Sequence, residues 1–333
     1  MFLFRPGRKT LFYSLLLFSL FVLAGCKNPN SNPSIDPTQL TVISPGGIPV
    51  DILDSLEVTL VKVNLPGTTE PFFSAVNFLR YNGENPPANT DLLFLVSTAA
   101  ALSDSSLGRV LSPGLISRVT KDDEVLFLKK DDLYRKGQTI WFILYHSDGG
   151  LQKFVAARFP AAVATIISTN IKRMMAYDQS RSRYEKGHSE EILAEWGIDL
   201  RLPEGFERVD SVSSGRTLFR RGAGTKTEEW MMISGISGSI EGNPNELRDN
   251  AVKESIRYQD GSSMRTTSYF EYLGKPGYFR GNWETSPYPM AGVYTARLLS
   301  KGGGIIYIEA GIYSPGRNKT LNLLRLEKLL RDL

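Results

Sequence analysis

The chain has 333 residues, with 39 Lys+Arg against 35 Asp+Glu, two His and a single Cys. Three of its cations (Arg5, Arg8, Lys9) lie in the first 25 residues, which hold no acid; taking them from the 39 leaves 36 basic against 35 acidic groups. A body this close to neutral excludes a nucleic-acid surface, and two His with one Cys exclude a Cys/His zinc site and a disulfide framework. A hydrophobic content of 41% excludes a disordered chain, and about 300 residues beyond the leader point to two domains.

Residues 1–25 have the parts of a secretory signal. Arg5, Arg8 and Lys9 form a positive start, and Leu11 to Gly25 is an uncharged, Leu/Phe-rich run of 15 residues, short for a bilayer span. The run ends in Leu23-Ala24-Gly25-Cys26, which resembles the lipobox of bacterial lipoproteins. That resemblance implies cleavage before Cys26 and acylation of its sulfur and amino group, an attachment made permanent by several chains at about 0.8 kcal/mol per buried methylene. Residues 26–47, with Pro29, Pro33 and Pro37 and no apolar periodicity, read as a flexible Pro/Asn tether. By analogy with the sorting of lipoproteins that this stretch resembles, Lys27 in place of an Asp after the Cys implies the outer membrane, and the lack of a following acidic cluster implies a body in the periplasm.

Residues 48–187 are expected to form a first α+β domain. Leu56 to Val63 alternates like a strand, Asp91 to Thr98 is a short apolar run, and Val125 to Lys129 and Thr139 to His146 are further strands. The last is apolar on both faces, which places it centrally under two layers. Asp148-Gly149-Gly150 breaks it, and a long helix from Pro160 follows, carrying Val163, Ile166, Ile167, Ile171, Met174 and Met175 at helical spacing and stopping at Gly187.

Residues 188–333 are expected to form a second. A short helix, Glu190 to Trp196, stops at Gly197, and strands cover Thr217 to Arg220 and Glu229 to Ser234. Asn243-Pro244-Asn245-Glu246 is a capping-box start for a helix bearing Leu247, Ala251, Val252 and Ile256. Strands at Tyr278 to Glu284, Val293 to Leu299 and Ile305 to Tyr313 precede a last helix from Asn318, with Leu323, Leu326, Leu330 and Leu333 as its buried face. Consecutive strands with short connections imply antiparallel sheets, each packed by a few helices, in an α+β fold.

The second region resembles the uncharacterised lipoproteins of Bacteroidota gathered as domain of unknown function family 4837. The residues that carry it are Arg280-Gly281-Asn282-Trp283-Glu284, Met290-Ala291-Gly292, Ala310 to Lys319 (AGIYSPGRNK) and the closing Arg325 to Leu330. Leu65-Pro66, Glu70-Pro71-Phe72 and Tyr177 to Arg181 match more loosely, and the first region is short against the family's pattern. The family has no assigned activity, so the resemblance implies an envelope lipoprotein and supplies no catalytic residue.

Several motifs carry less than they suggest. No Gly-x-Ser-x-Gly elbow supports a Ser-His-Asp site with His146 or His188, and Ser237 and Ser239 in Gly235-Ile-Ser-Gly-Ser only echo one. Asp122-Asp123-Glu124 and Asp131-Asp132 lack calcium-loop spacing and read as solvated turns. Gly302-Gly303-Gly304 joins two strands, so it is a hairpin turn and not a phosphate cradle; Pro315 to Lys319 does precede a helix and offers two cations to an anion. Asp54-Ser55-Leu56 and Asp210-Ser211-Val212 match a short O-glycosylation signal loose enough to arise about once by chance.

The remaining cluster is Arg280, Trp283, Glu284, Arg297 and Glu309 on three expected neighbouring strands. If the strands are in register, four charges share one sheet face beside Trp283, either as cross-strand ion pairs or as a polar binding face. The expectation is therefore a membrane-anchored envelope component without catalytic residues, cofactor or metal, meeting a protein or glycan partner. The alternative is a glycan or peptidoglycan hydrolase using Glu284 and Glu309, which needs the two carboxyls roughly 5 to 10 Å apart in a cleft.

Overall fold

A computed structural model describes residues 35–81, 86–104, 107, 110–176, 184–210, 215–236, 244–256, 261–271 and 277–333. The expected signal peptide, Cys26 and the first part of the tether lie outside these residues, as do Ser211, Ser237 and Ser239. The chain is α+β with two sheets, each packed by helices.

The first sheet has the order β2-β1-β3-β5-β4, from β1 (Asp36–Ser44), β2 (Ala75–Arg80), β3 (Thr90–Ser97), β4 (Leu126–Asp131) and β5 (Thr139–Tyr145). It is not antiparallel as expected: β2, β1, β3 and β5 run parallel, and only the edge strand β4 is antiparallel. The cause is visible in burial. Every residue of β5 is buried, as are seven of the eight residues of β3, so both faces of these strands are covered, the condition under which parallel strands form. One face carries α1 (Val50–Lys62), α4 (Asp148–Ala157) and α5 (Phe159–Met175), and the other carries α2 (Thr98–Ser103) and α3 (Pro113–Asp122).

Three expectations are corrected here. Asp36 to Ser44 is not tether but a strand near the middle of the sheet, with Pro37 at its start, where a missing N–H is tolerated. Leu56 to Val63 is not a strand: Ile52, Leu56 and Leu60 recur every four residues and are the buried face of α1, while Val58 and Val61 face solvent. Asp148-Gly149-Gly150 does not end structure but opens α4, whose first turn is capped by the Ser147 hydroxyl accepting from the Gly150 N–H at 3.0 Å.

The second sheet has seven strands in the order β6-β7-β8-β12-β11-β10-β9, all antiparallel. They are β6 (Glu207–Arg208), β7 (Arg216–Arg221), β8 (Glu228–Ile236), β9 (Ser263–Glu271), β10 (Tyr278–Ser286), β11 (Ala291–Lys301) and β12 (Gly304–Tyr313). Gly302 and Gly303, both at positive φ, form the expected β11–β12 hairpin turn. The sheet is preceded by α6 (Lys186–Trp196), which ends at Gly197 in the left-handed region. One face is covered by α7 (Pro244–Ser255), the other by α8 (Thr320–Arg331).

The division near residue 187 follows the sheets, but the hydrophobic core crosses it. One continuous cluster runs from Leu40, Leu56 and Trp141 through Ile166 to Met231, Ile308 and Leu326, because α5 on the first sheet packs against α8 on the second. The loop between α1 and β2 straps the halves together. Lys319 Nζ donates to Glu70 at 2.7 Å, Asn318 Nδ2 to the Pro71 carbonyl at 2.6 Å, and the Thr69 N–H to Asn282 Oδ1 at 3.1 Å.

Candidate functional site

The β10–β11–β12 register decides which expected site residues meet. Tyr278 pairs with Arg297, Arg280 with Thr295 and Glu284 with Ala291, so Arg280, Glu284 and Arg297 share a face, as expected. Glu309 pairs with Ala296, one residue out of phase with Arg297, and points to the opposite face. Trp283 is also on that opposite face, buried against Trp230 with ring centroids 5.2 Å apart. The sheet thus separates the five residues into two groups, and the single polar face does not form.

On the inner face, Arg280 and Arg297 both grip α8. Arg280 is fully buried; its guanidinium donates to Glu327 through Nε and Nη2, and through Nη1 to the Pro66 carbonyl at 2.8 Å. Arg297 stacks over the Tyr278 ring at 4.8 Å and donates to the Leu330 carbonyl at 2.6 Å. Glu284, near the strand end, pairs with Arg265 of β9 in solvent.

On the outer face, Glu309 is wholly buried and fully engaged. Arg248 of α7 donates to it twice, from Nε and Nη2 at 3.0 Å each; the Tyr307 hydroxyl donates at 2.5 Å and Trp230 Nε1 at 3.3 Å. The Arg248 guanidinium lies 4.1 Å over the Tyr294 ring and reaches Thr266 Oγ1 at 3.2 Å. Burial opposes its charge, but Glu309 and the two tyrosines outweigh that and hold its pKa above the ordinary value. Burial, then Glu309, drives the Tyr307 hydroxyl well above its usual range. Beside this network Leu247, Phe279, Tyr294, Leu298 and Tyr307 line a small depression.

Sequence reasoning missed Arg248 and Glu327. Each stands on the apolar stripe of its helix, Arg248 with Ala251 and Val252, Glu327 with Leu323 and Leu330. A charge on a buried stripe announces a buried partner, and that was the available signal.

The other motifs resolve into structure. The turn Pro315 to Lys319 does hold an anion, and it is the protein's own: Glu70 accepts from the Lys319 N–H at 3.2 Å and from its Nζ. His146 Nδ1 meets Thr98 Oγ1 at 2.9 Å, and His188, inside α6 and not in a loop, meets Glu191 at 3.3 Å. Asp123 accepts from the Ser147 hydroxyl, Glu124 pairs with Arg118, and Asp131 pairs with Lys129. Ser55 donates to the Asp51 carbonyl within α1. Among the described residues no three His, Cys, Asp or Glu form a metal-holding group. No single described helix is long and apolar enough to cross a membrane; α4 and α5 together have the length and composition but are bent by 65°.

No protein-family model matches the chain, and no curated protein does. Among solved structures, the chain is similar to the Ran-binding protein Mog1p of Saccharomyces cerevisiae, with 10% identity over 40% of this chain and 86% of that one, at a TM-score of 0.27. A mutant of the protein Mog1 gives 9% identity, 40% and 87% coverage and a TM-score of 0.28. A STAR-related lipid transfer protein from Xanthomonas axonopodis gives 11% identity over 38% of this chain and 99% of that one, at 0.21. Likenesses this low carry no argument about what the chain does.

Proposed function

We propose that the chain is a lipid-anchored cell-envelope protein, held in the outer membrane by acylated Cys26, whose periplasmic body binds or assembles with an envelope protein or glycan. The observation that carries this is the apolar run Leu11 to Gly25 closed by Leu23-Ala24-Gly25-Cys26 in a chain with no other cysteine. The placement of the carboxylates favours binding over hydrolysis. Glu284 is half exposed and Glu309 is buried on the other side of the sheet, so they do not line one cleft as a glycosidase pair must. Glu309 has no lone pair left for a substrate, being held by Arg248, Tyr307 and Trp230.

The test is fractionation of cells making the wild type or Cys26→Ala, with mass spectrometry of the amino terminus and crosslinking of envelope neighbours. The expected result is an acylated, membrane-bound wild type and a soluble or unprocessed variant. Identical behaviour of the two would overturn the anchor. Cleavage of peptidoglycan by wild type and not by Glu284→Gln would instead support the hydrolase.

A further inference from the structure

Resting on the anchored reading, we propose that the amino edge of the first sheet faces the bilayer, with Arg135 and Lys136 of the β4–β5 loop set against anionic lipid headgroups.

The distance available to the anchor comes first. Strand β1 begins at Asp36, ten residues after Cys26, and a fully extended chain covers at most about 3.5 Å per residue. The lipid therefore lies within about 35 Å of Asp36, so the elements beside Asp36 are those the anchor holds nearest the bilayer.

The register then says what surrounds Asp36. It pairs with Thr90 at the start of β3, and its N–H donates to the Asn89 carbonyl at 3.2 Å. Asp131 at the end of β4 pairs with Thr139 at the start of β5, so the loop 132–138 projects from the same edge. Ile35 lies against Gly137 of that loop, within 4 Å of the place a Cβ would occupy. The loop is fixed rather than loose: the Gly137 N–H donates to Asp132 at 2.5 Å, and its carbonyl accepts from Arg173 of α5 at 2.5 Å.

What this edge shows to solvent suits a headgroup layer. Residues 131–137 are all exposed, including Leu133 and Tyr134. Asp131 is paired with Lys129 and Arg173 with Asp91, and among the described residues Asp36 and Asp132 are acids at this edge without an ion-pair partner, fewer than the cations that also lack one. Arg135 and Lys136 have no ion-pair partner among the described residues, nor does Lys172 on the last turn of α5. Unpaired cations next to an anchoring segment are attracted to anionic lipid over roughly a Debye length.

The test uses the full acylated protein in vesicles of phosphatidylcholine with one quarter phosphatidylglycerol. A fluorophore is placed on Lys136→Cys or, at the opposite end of the sheet, on Asp122→Cys, and quenched by headgroup spin-labelled lipid. The ends of the sheet are about 20 Å apart, so at least twofold stronger quenching at residue 136 is expected. Equal quenching, or stronger quenching at residue 122, overturns the orientation. In pure phosphatidylcholine, or with Arg135→Glu added to the labelled chain, quenching at residue 136 should fall; no change overturns the headgroup contact. The wild type with no introduced cysteine separates the two ideas: labelling at Cys26 shows a free thiol and overturns the anchored reading itself.

Discussion

Arg280 of β10 and Glu327 of α8 form an ion pair buried from solvent, and a third partner, the Pro66 carbonyl, comes from the loop of the other half. The pair therefore joins the second sheet, its covering helix and the strap of the first half at one point. Buried pairs of this kind add little over apolar residues of the same volume, but half of one is costly. The same holds across the sheet for Arg248 and Glu309, which fasten α7.

The two ends of the Arg280–Glu327 pair should differ when removed. Arg280→Met leaves Glu327 with Arg331 at 3.2 Å, whereas Glu327→Leu leaves a buried guanidinium without its carboxylate. Urea unfolding should show a loss of about 3 kcal/mol for the first and up to about 5 kcal/mol for the second. The double variant should recover most of either loss. A double variant as unstable as the sum of the singles would contradict this account.

The glycines of the Ala-Gly-Ile-Tyr and Met-Ala-Gly segments are set by close approach. A Cβ on Gly311 would enter the six-membered ring of Trp230, and one on Gly292 would meet the indole of Trp283. Gly311→Ala should lose about 1–3 kcal/mol by overpacking, and Trp230→Leu in the same chain should reduce that loss. Strictly additive losses in thermal unfolding would mean that the ring is not what excludes the methyl.

These positions show what the sequence could and could not convey. β10, β11, β12 and α8 were legible for separate reasons: Phe279 and Trp283 alternate with Arg280, Asn282 and Glu284 in β10, β11 and β12 are long apolar runs joined by a glycine turn, and Leu323, Leu326 and Leu330 keep helical spacing in α8. In Leu56 to Val63 the same residues satisfy both periods, and only the sheet beneath selects Leu56 and Leu60 for burial. β1 hid behind Pro37 in a stretch that reads as tether, and β9, an edge strand with mostly exposed side chains, has little apolar pattern to find. The site failed on phase: Glu309 lies one residue from the face it was assigned, and a period of two turns that into the opposite side of the sheet.

Asp91 supplies a pH dependence. It is buried at the start of β3, and desolvation raises its pKa above 3.8 despite Arg173 at 2.6 Å. A carboxyl with a raised folded pKa binds more protons in the native than in the unfolded state between the two values, so its contribution to stability falls as pH rises through that window. Asp91→Asn, which does not titrate, should compare progressively better with wild type from about pH 4 upwards. A stability difference that is flat with pH, or that grows in favour of wild type, would show that Arg173 overrides burial.

The shared core makes the two halves one cooperative unit. The cluster that includes Ile143 of β5 also includes Ile308 of β12, and the strap Glu70–Lys319 ties the loops at its margin. Separating the halves would expose the apolar α5–α8 contact, at a cost of about 25 cal/mol for each Å² of apolar surface uncovered. Hydrogen exchange followed by mass spectrometry in increasing urea should therefore give coincident midpoints for peptides covering 139–145 and 304–313. Glu70→Ala should move both together. Distinct midpoints in the wild type would mean that each sheet carries its own sufficient core, and that the contact between α5 and α8 only docks two independent domains.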